Sequence, residues 1–243
     1  MKIKIPFLIG IICGGLKSSF FSDFLAQSAG IEGKYVEQDY RIKNINSTAL
    51  DYSFGAFDKK RNFHQMEMSK VGDMWGTGLF KSNACDFCTD VSTELADISL
   101  GDAWLPEYKP DGKGNSIIIT RSELAEKLIQ DGILTNELHV KNVDKESIIE
   151  SQKSSFSHRQ DAVKFRLMIA KLLGKKTPYV RKRMIKSITV PYSLVQLQRA
   201  RTRRKSLEYW KLCKDIKLFN KKMKIELKLL SKLTGVYHKL RNI

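Results

Sequence analysis

Apolar and polar positions change period several times along this chain, and each change predicts an element. The apolar run Ile5 to Leu16 contains Phe7 to Ile12, a short unbroken stretch of the kind found in a buried parallel strand. Pro6 is tolerable at a strand's first position, and Gly14-Gly15 supplies a turn after it. Lys2 and Lys4 give the same run the look of a signal peptide. Against that, Cys13-Gly14-Gly15 interrupts its end, no small-x-small site precedes Lys17, and twelve residues are too few to span a bilayer. The expectation is a strand.

Downstream the pattern reads as mixed α/β. Ser18-Ser19 can cap a helix over about Phe20 to Ala29, ended by Gly30. Leu50, Tyr52, Phe54 and Ala56 alternate with Asp51, Ser53 and Gly55, the period of a half-buried strand, with Phe63 to Val71 as its hairpin partner. Ala96 to Leu100 forms a short strand ending in Gly101-Asp102, and Ser116 to Thr120 reads as a β-branched central strand. Ser122 then caps a helix through Gln130 that Asp131-Gly132 should stop. The fold class expected is α/β: a mixed sheet with flanking helices, followed by a basic helical C-terminal extension.

Charge separates the two parts. The chain of 243 residues carries a formal +17, yet His158 to Ile243 holds 25 basic and 4 acidic residues, while residues 1–157 are slightly acidic. We therefore divide the sequence into a body, 1–157, and a basic helical tail, 158–243. Pro178 and Pro191 punctuate the tail. From Tyr209 onward, Leu212, Ile216, Phe219, Met223, Leu230, Leu233 and Tyr237 form a narrow apolar seam that Glu226 alone breaks. Three readings remain open: the seam packs on the body, meets a helical partner, or lies on an anionic membrane surface with lysine stems snorkelling. Arg199 to Lys205 would bind phosphate, but few aromatics are interleaved and no nucleic-acid-reading motif is present, so nucleic acid is the weakest partner.

The composition is that of a globular protein, and four cysteines are too few for a disulfide scaffold, which places it in the cytoplasm. The four histidines, His64, His139, His158 and His238, are scattered and belong to no nucleophile motif, so each reads as a surface or core residue. Chemistry points instead to Cys85-Asp86-Phe87-Cys88, whose spacing lets two thiolates turn to one centre. Zinc would need two more ligands, with only Cys13 and His64 on offer in the body. A dithiol pair would want electropositive surroundings, yet Asp86 and Asp90 flank the thiols. An iron-sulfur cluster could take Cys13 as a third ligand, because a glycine turn brings bare backbone close to sulfide.

Several segments together resemble the C-terminal domain of the coenzyme F-420 hydrogenase/dehydrogenase beta subunit. They are Cys13 to Ser18, Asp39 to Lys43, Cys85 to Asp90, Ala96 to Tyr108, and Gly114 to Ser116 with Thr120-Arg121. The resemblance covers about Phe7 to Phe165 and implies an iron-sulfur flavoprotein that passes electrons between a 4Fe-4S cluster and FAD. It makes Cys13, Cys85 and Cys88 cluster ligands and leaves the fourth unidentified. Cys213 lies outside the matched region among lysines and is a poor substitute. Similar full-length proteins have an upstream half, so the expectation is a fragment, a split subunit or a mis-started frame whose partner is the missing N-terminal half or another redox subunit, with the cluster completed by another polypeptide, completed by a non-Cys ligand, or absent.

The same resemblance suggests places for the flavin. Gly101 and Asp102 stand at a strand's C-terminal end, where Asp102 would accept from a ribityl hydroxyl or ring N–H, or else cap the next turn. Trp104 would stack on the isoalloxazine or sit in the core. Lys17 and Ser18 at a helix start would hold the pyrophosphate, helped by Arg41, Lys43 or Arg121, or those basic residues would be a solvated edge. No acid-base triad is required when cofactors perform the chemistry. The alternative function is a binding or scaffold protein: a degenerate redox body whose cationic tail docks on a membrane's inner face, a nucleic acid or an acidic partner.

Overall fold

A computed structural model describes residues 5–182 and 187–241; Lys2 and Lys4 lie outside the described residues. Six strands form two three-stranded sheets. In the first, β1 (Ile9–Ile11) runs parallel to β5 (Ile98–Asp102), which pairs antiparallel with β6 (Ser116–Thr120), in the order β1-β5-β6. The second is a meander of β2 (Tyr35–Lys43), β3 (Tyr52–Asp58) and β4 (Phe63–Glu67). The fold is mixed α/β as the pattern predicts, with the strands divided between two small sheets.

Several expectations need correction. The β1 segment is a strand, but an edge strand: Ile9 and Ile11 are 67% and 72% exposed, so its apolar residues are not buried. Ser116 to Thr120 is also an edge, because β5 takes the central position between its two neighbours. In β3, Ser53 and Gly55 are buried along with Phe54 and Ala56, since the strand is central and covered on both faces. The strand β2 escaped the sequence pattern altogether; its mostly exposed residues and two register shifts, one at Glu37 (φ +52°) and one between Asp39 and Ile42, leave no alternation to read.

The helices follow their caps. Ser18 precedes α1 (Ser19–Ser28), and Gly30 at φ +89° lies just past its end. The Ser122 hydroxyl accepts from the Ala125 N–H at the start of α2 (Glu123–Leu134). That helix runs through Asp131-Gly132 rather than stopping there, and Leu138 folds back onto Gly132. Next come α3 (Lys145–Ser151), α4 (Lys153–Phe156), a wide π turn over Ser157–Asp161, and α5 (Val163–Leu172). The chain ends in a helical hairpin, α6 (Val190–Cys213) and α7 (Ile216–Arg241).

The predicted seam therefore belongs to two helices. Lys214 takes a left-handed conformation, φ +45°, and Asp215 Oδ1 accepts from Leu218 N to begin α7. This break shifts the phase, so Leu212 is 79% exposed while Phe219, Met223 and Leu230 are buried. Gln27 of α1 holds the hairpin's turn, donating to the Lys214 carbonyl and accepting from Ile216 N. Glu226, the polar interruption, is buried against Gln198 and Arg201 at 2.8 and 2.9 Å.

One aromatic core joins the hairpin to the rest. Phe24 of α1, Phe80, Trp210 and Phe219 meet with ring centroids 5.1 to 5.7 Å apart, in mostly edge-to-face or tilted pairs. Phe54 and Ala56 of β3 lie in the same cluster. A smaller cluster holds Ala162, Tyr192, Val195 and Leu230, with Tyr192 stacked on Tyr237. The seam thus packs on the body, the first of the three readings left open by the sequence.

Candidate functional site

Backbone pairing brings the first cysteine to the second. After β1 the chain turns through Gly14-Gly15, and residues 16–18 then run antiparallel to 80–82: Ser18 N donates to the Phe80 carbonyl and Ser82 N to the Leu16 carbonyl, both at 2.8 Å. Immediately after Ser82 comes a single 3₁₀ turn, Asn83–Asp86, that carries Cys85. Two adjacent amides then serve two different sulfurs. Gly15 N donates to Cys13 Sγ at 3.3 Å, and Leu16 N to Cys85 Sγ at 3.2 Å. Gly15 sits at φ +135°, a conformation that favours glycine, and a Cβ there would also press on the end of the Lys81 side chain.

Cys88 is turned elsewhere. Its thiol donates to the Asp90 carbonyl at 3.6 Å and accepts from Arg159 Nη1 at 3.5 Å. All four cysteines are half-buried and free; Cys213 packs on the aromatic core at the end of α6. N–H donors on sulfur are what cluster-bound thiolates take, so the Cys13–Cys85 pair fits part of an iron-sulfur site. Among the described residues, however, no three of His, Cys, Asp and Glu are gathered as a metal-holding group. The donor set in this chain does not by itself make a four-thiolate site.

The eight residues considered for the flavin fall into several places. Arg41, Asp102 and Trp104 come together: Arg41 Nη1 lies 2.9 Å from Asp102 Oδ2, and its guanidinium is 4.8 and 5.2 Å from the rings of Tyr52 and Trp104. Lys17 and Ser18 stand on the Cys13 turn at the head of α1. The Lys17 ammonium donates to the carbonyls of Met74 and Leu79 and lies over the Trp75 ring at 4.8 Å. Burial, and then Lys81, pull its pKa down to about 7 against the opposing pull of Asp73 and Cys85. The Ser18 hydroxyl is buried with no partner.

The remaining three are occupied with the frame. Lys43 donates to the Lys113 carbonyl. Arg121 ties down the loop before β5 through Ser92, Ala96 and Ser99. At Gly101 a Cβ would fall 2.5 Å from Ile12, so this glycine lets the end of β1 close on β5.

Sequence reasoning marks Arg199 to Lys205 as phosphate-binding but misses that Arg199 and Arg203 line a cationic cavity of about 130 Å³ next to the Cys13 turn. Gly14, Trp75 and Lys81 line one side; His158, Arg159 and Arg166 line another, with Arg199 and Arg203 from α6. A signal was present in the spacing. Arg199 and Arg203, four apart, place two charges on one face of α6, whereas Arg159 stands in the π turn and Arg166 on α5, a juxtaposition no spacing announces.

The family model that describes the C terminus of the coenzyme F420 hydrogenase/dehydrogenase beta subunit matches residues 1–146. The coenzyme F420 hydrogenase subunit beta of Methanococcus voltae is 28% identical over 160 residues, which are 64% of this chain and 54% of that protein. This chain thus spans about half the length of that curated relative. No solved structure matches it. With well over half of its residues matched by the family model, the chain belongs to the coenzyme F420 hydrogenase/dehydrogenase beta-subunit family and corresponds to the C-terminal part of that protein.

Proposed function

We propose that the chain is an electron-transfer part of an oxidoreductase, passing electrons between a 4Fe-4S cluster and FAD, with the cluster's ligand set completed by another polypeptide segment. The observation that carries this reading is the pair of neighbouring amides, Gly15 and Leu16, aimed at Cys13 and Cys85 within the family-matched residues. Cys88, three residues beyond Cys85, would join them once Arg159 releases it. Arg41, Asp102 and Trp104 are the side chains best grouped to meet a flavin. The exposed Ile9 and Ile11 on the edge strand β1 offer apolar surface to an incoming segment or subunit. The relative in Methanococcus voltae is named a hydrogenase subunit, which supports other subunits as partners.

The test is anaerobic purification of the chain alone and together with its upstream-encoded neighbour, followed by iron, sulfide and flavin assays. Cofactors appearing with the neighbour, and lost in Cys13→Ser or Cys85→Ser, are expected. Colourless, iron-free protein in both preparations overturns the reading.

A second reading rests on α7, whose outer face carries Lys217, Lys221, Lys224, Lys228 and Lys232 beside Ile225, 78% exposed. Such a face can lie on an anionic membrane surface at the cytoplasmic side. Among the described residues no helix is long and apolar enough to cross a membrane. Sedimentation with anionic vesicles that disappears at high salt would support this attachment, and salt-insensitive or absent binding would remove it.

A further inference from the structure

The cavity beside the Cys13 turn gathers positive charge in a partly open recess. Five of its lining side chains, Lys81, Arg159, Arg166, Arg199 and Arg203, are basic, and Asp86 is the single lining carboxylate. Arg203 Nε takes that carboxylate at 3.0 Å. Burying charges of one sign without counter-charge is costly, because neighbouring cations repel most strongly where water is thin. The same repulsion, added to burial, sets the direction of the pKa shifts here. Burial and then Arg166, Lys81, Arg199 and Arg159 hold His158 far below the usual imidazole range. Burial foremost, with Arg199 and Arg203 adding to it against Asp86 and Tyr192, brings Arg166 down to about 10.

The hydrogen bonds left over are all of one kind. Arg166, 7% exposed, gives Nε to the Asp86 carbonyl and Nη1 to Gln196 Oε1, and its Nη2 is buried with no partner. Arg159, 3% exposed, gives Nη1 to the Asp90 carbonyl, and its Nε is left over. The neutral His158 accepts from Lys81 Nζ at 3.0 Å through Nε2, which puts its proton on Nδ1, also buried and unpartnered. Gln196 Nε2 and Arg199 Nε complete the set. Five buried donors around one cavity call for a ligand that only accepts, with several oxygens and negative charge. The π turn at Ser157–Asp161 is what sets His158 and Arg159 into the cavity wall. A volume of about 130 Å³ is ample for more than a single water, which needs roughly 10–15 Å³.

We propose that this cavity is a binding site for a phosphate-type oxyanion, held by Lys81, Arg159, Arg166 and Arg199 with the His158 Nδ1–H, where the tail helices meet the Cys13 turn. Four of these five side chains lie beyond residue 146, where the family model stops. The site does not depend on the cluster or flavin reading.

The experiment is calorimetric titration of the full chain with inorganic phosphate, at ionic strength held constant with sodium chloride. Saturable binding at millimolar phosphate or below is expected, weakened about tenfold by Arg199→Gln or Lys81→Met and unchanged by Lys228→Gln, an equal charge loss on the exposed face of α7. Pyrophosphate forms the second arm: tighter binding than phosphate identifies a diphosphate-bearing ligand such as a nucleotide, and weaker binding identifies a single phosphoryl group. Either result supports the site. Absence of saturable heat over the chloride control overturns it, as do Arg199→Gln and Lys81→Met chains that both bind like the unaltered one. Should one variant fail to fold, the other variant and the unaltered chain decide the question.

Discussion

The tail helices meet the body in two places of opposite character. At one, Phe24, Phe80, Trp210 and Phe219 interlock, and Trp210, Phe80 and Phe219 are at most 1% exposed. At the other, a few turns back along α6, Arg199 and Arg203 face Lys81, Arg159, Arg166 and His158 with donors to spare. The first contact lowers free energy by removing apolar surface from water and by dense packing. The second is held in place by that packing while carrying like charges whose repulsion opposes it. A rigid aromatic joint beside an unsatisfied polar end is how a fold keeps a binding site open: stability is supplied at one end and spent at the other.

Substitutions should separate the two ends. Trp210→Ala is expected to have the largest effect, a loss of about 3–5 kcal/mol in urea unfolding, because it empties the centre of the aromatic joint. A loss under about 1 kcal/mol would mean that the hairpin does not depend on the joint. Glu226→Ala should cost about 1–3 kcal/mol, since it removes the buried carboxylate that accepts from both Gln198 and Arg201 and leaves Gln198 Nε2 only the weaker acceptors, the residue-226 carbonyl and Thr202 Oγ1. Arg199→Gln, measured in phosphate-free buffer, should be neutral or should raise stability by about 0.5 kcal/mol, because it relieves repulsion in the cavity. A loss comparable to that of Glu226→Ala would erase the contrast between the ends.

The smallest effect lies away from both, in the β3–β4 turn. The Asn62 side chain and N–H, with His64 and Lys60 N assisting against a small opposing burial effect, hold the Asp58 carboxyl down at about 2. A pKa below the unfolded value of 3.8 contributes stability that is present above pH 4 and is lost as pH falls toward 2. Asp58→Asn should therefore flatten the acid limb of the stability profile between about pH 4 and pH 2 and leave the neutral range with little pH dependence from this residue. An unchanged acid limb would show that Asp58 does not couple folding to protons.

Much of the body was legible because its signals are local. Gly30 after α1 and the Ser122 cap of α2 act within a few residues, and Ser18 stands at the N-cap position of α1 although its hydroxyl makes no capping bond, so local signals place those helices without tertiary knowledge. The hairpin of β3 with β4 read through for the same reason, whereas the half-buried alternation of β3 did not, because Ser53 and Gly55 of this central strand are buried too. Whether a strand is central or an edge depends on neighbours distant in sequence. Thus Phe7 to Ile12 reads as buried by composition, although only β5 flanks it. The cysteines show the same limit. Their spacing pointed to a shared centre, and the structure joins Cys13 with Cys85 but turns Cys88 to Arg159, a residue 71 positions further on.

By itself the sequence determined the kind of each local element, the uneven charge and the family to which the body belongs, because periodicity, caps and ordered motifs are written in neighbouring residues. Tertiary structure alone decided that Glu226 completes the hairpin rather than breaking it, and that Arg199 faces Arg166 and His158 across a cavity. Those relations join side chains from separate segments, and their energies depend on distance and on exclusion of water, neither of which is encoded at any single position along the chain.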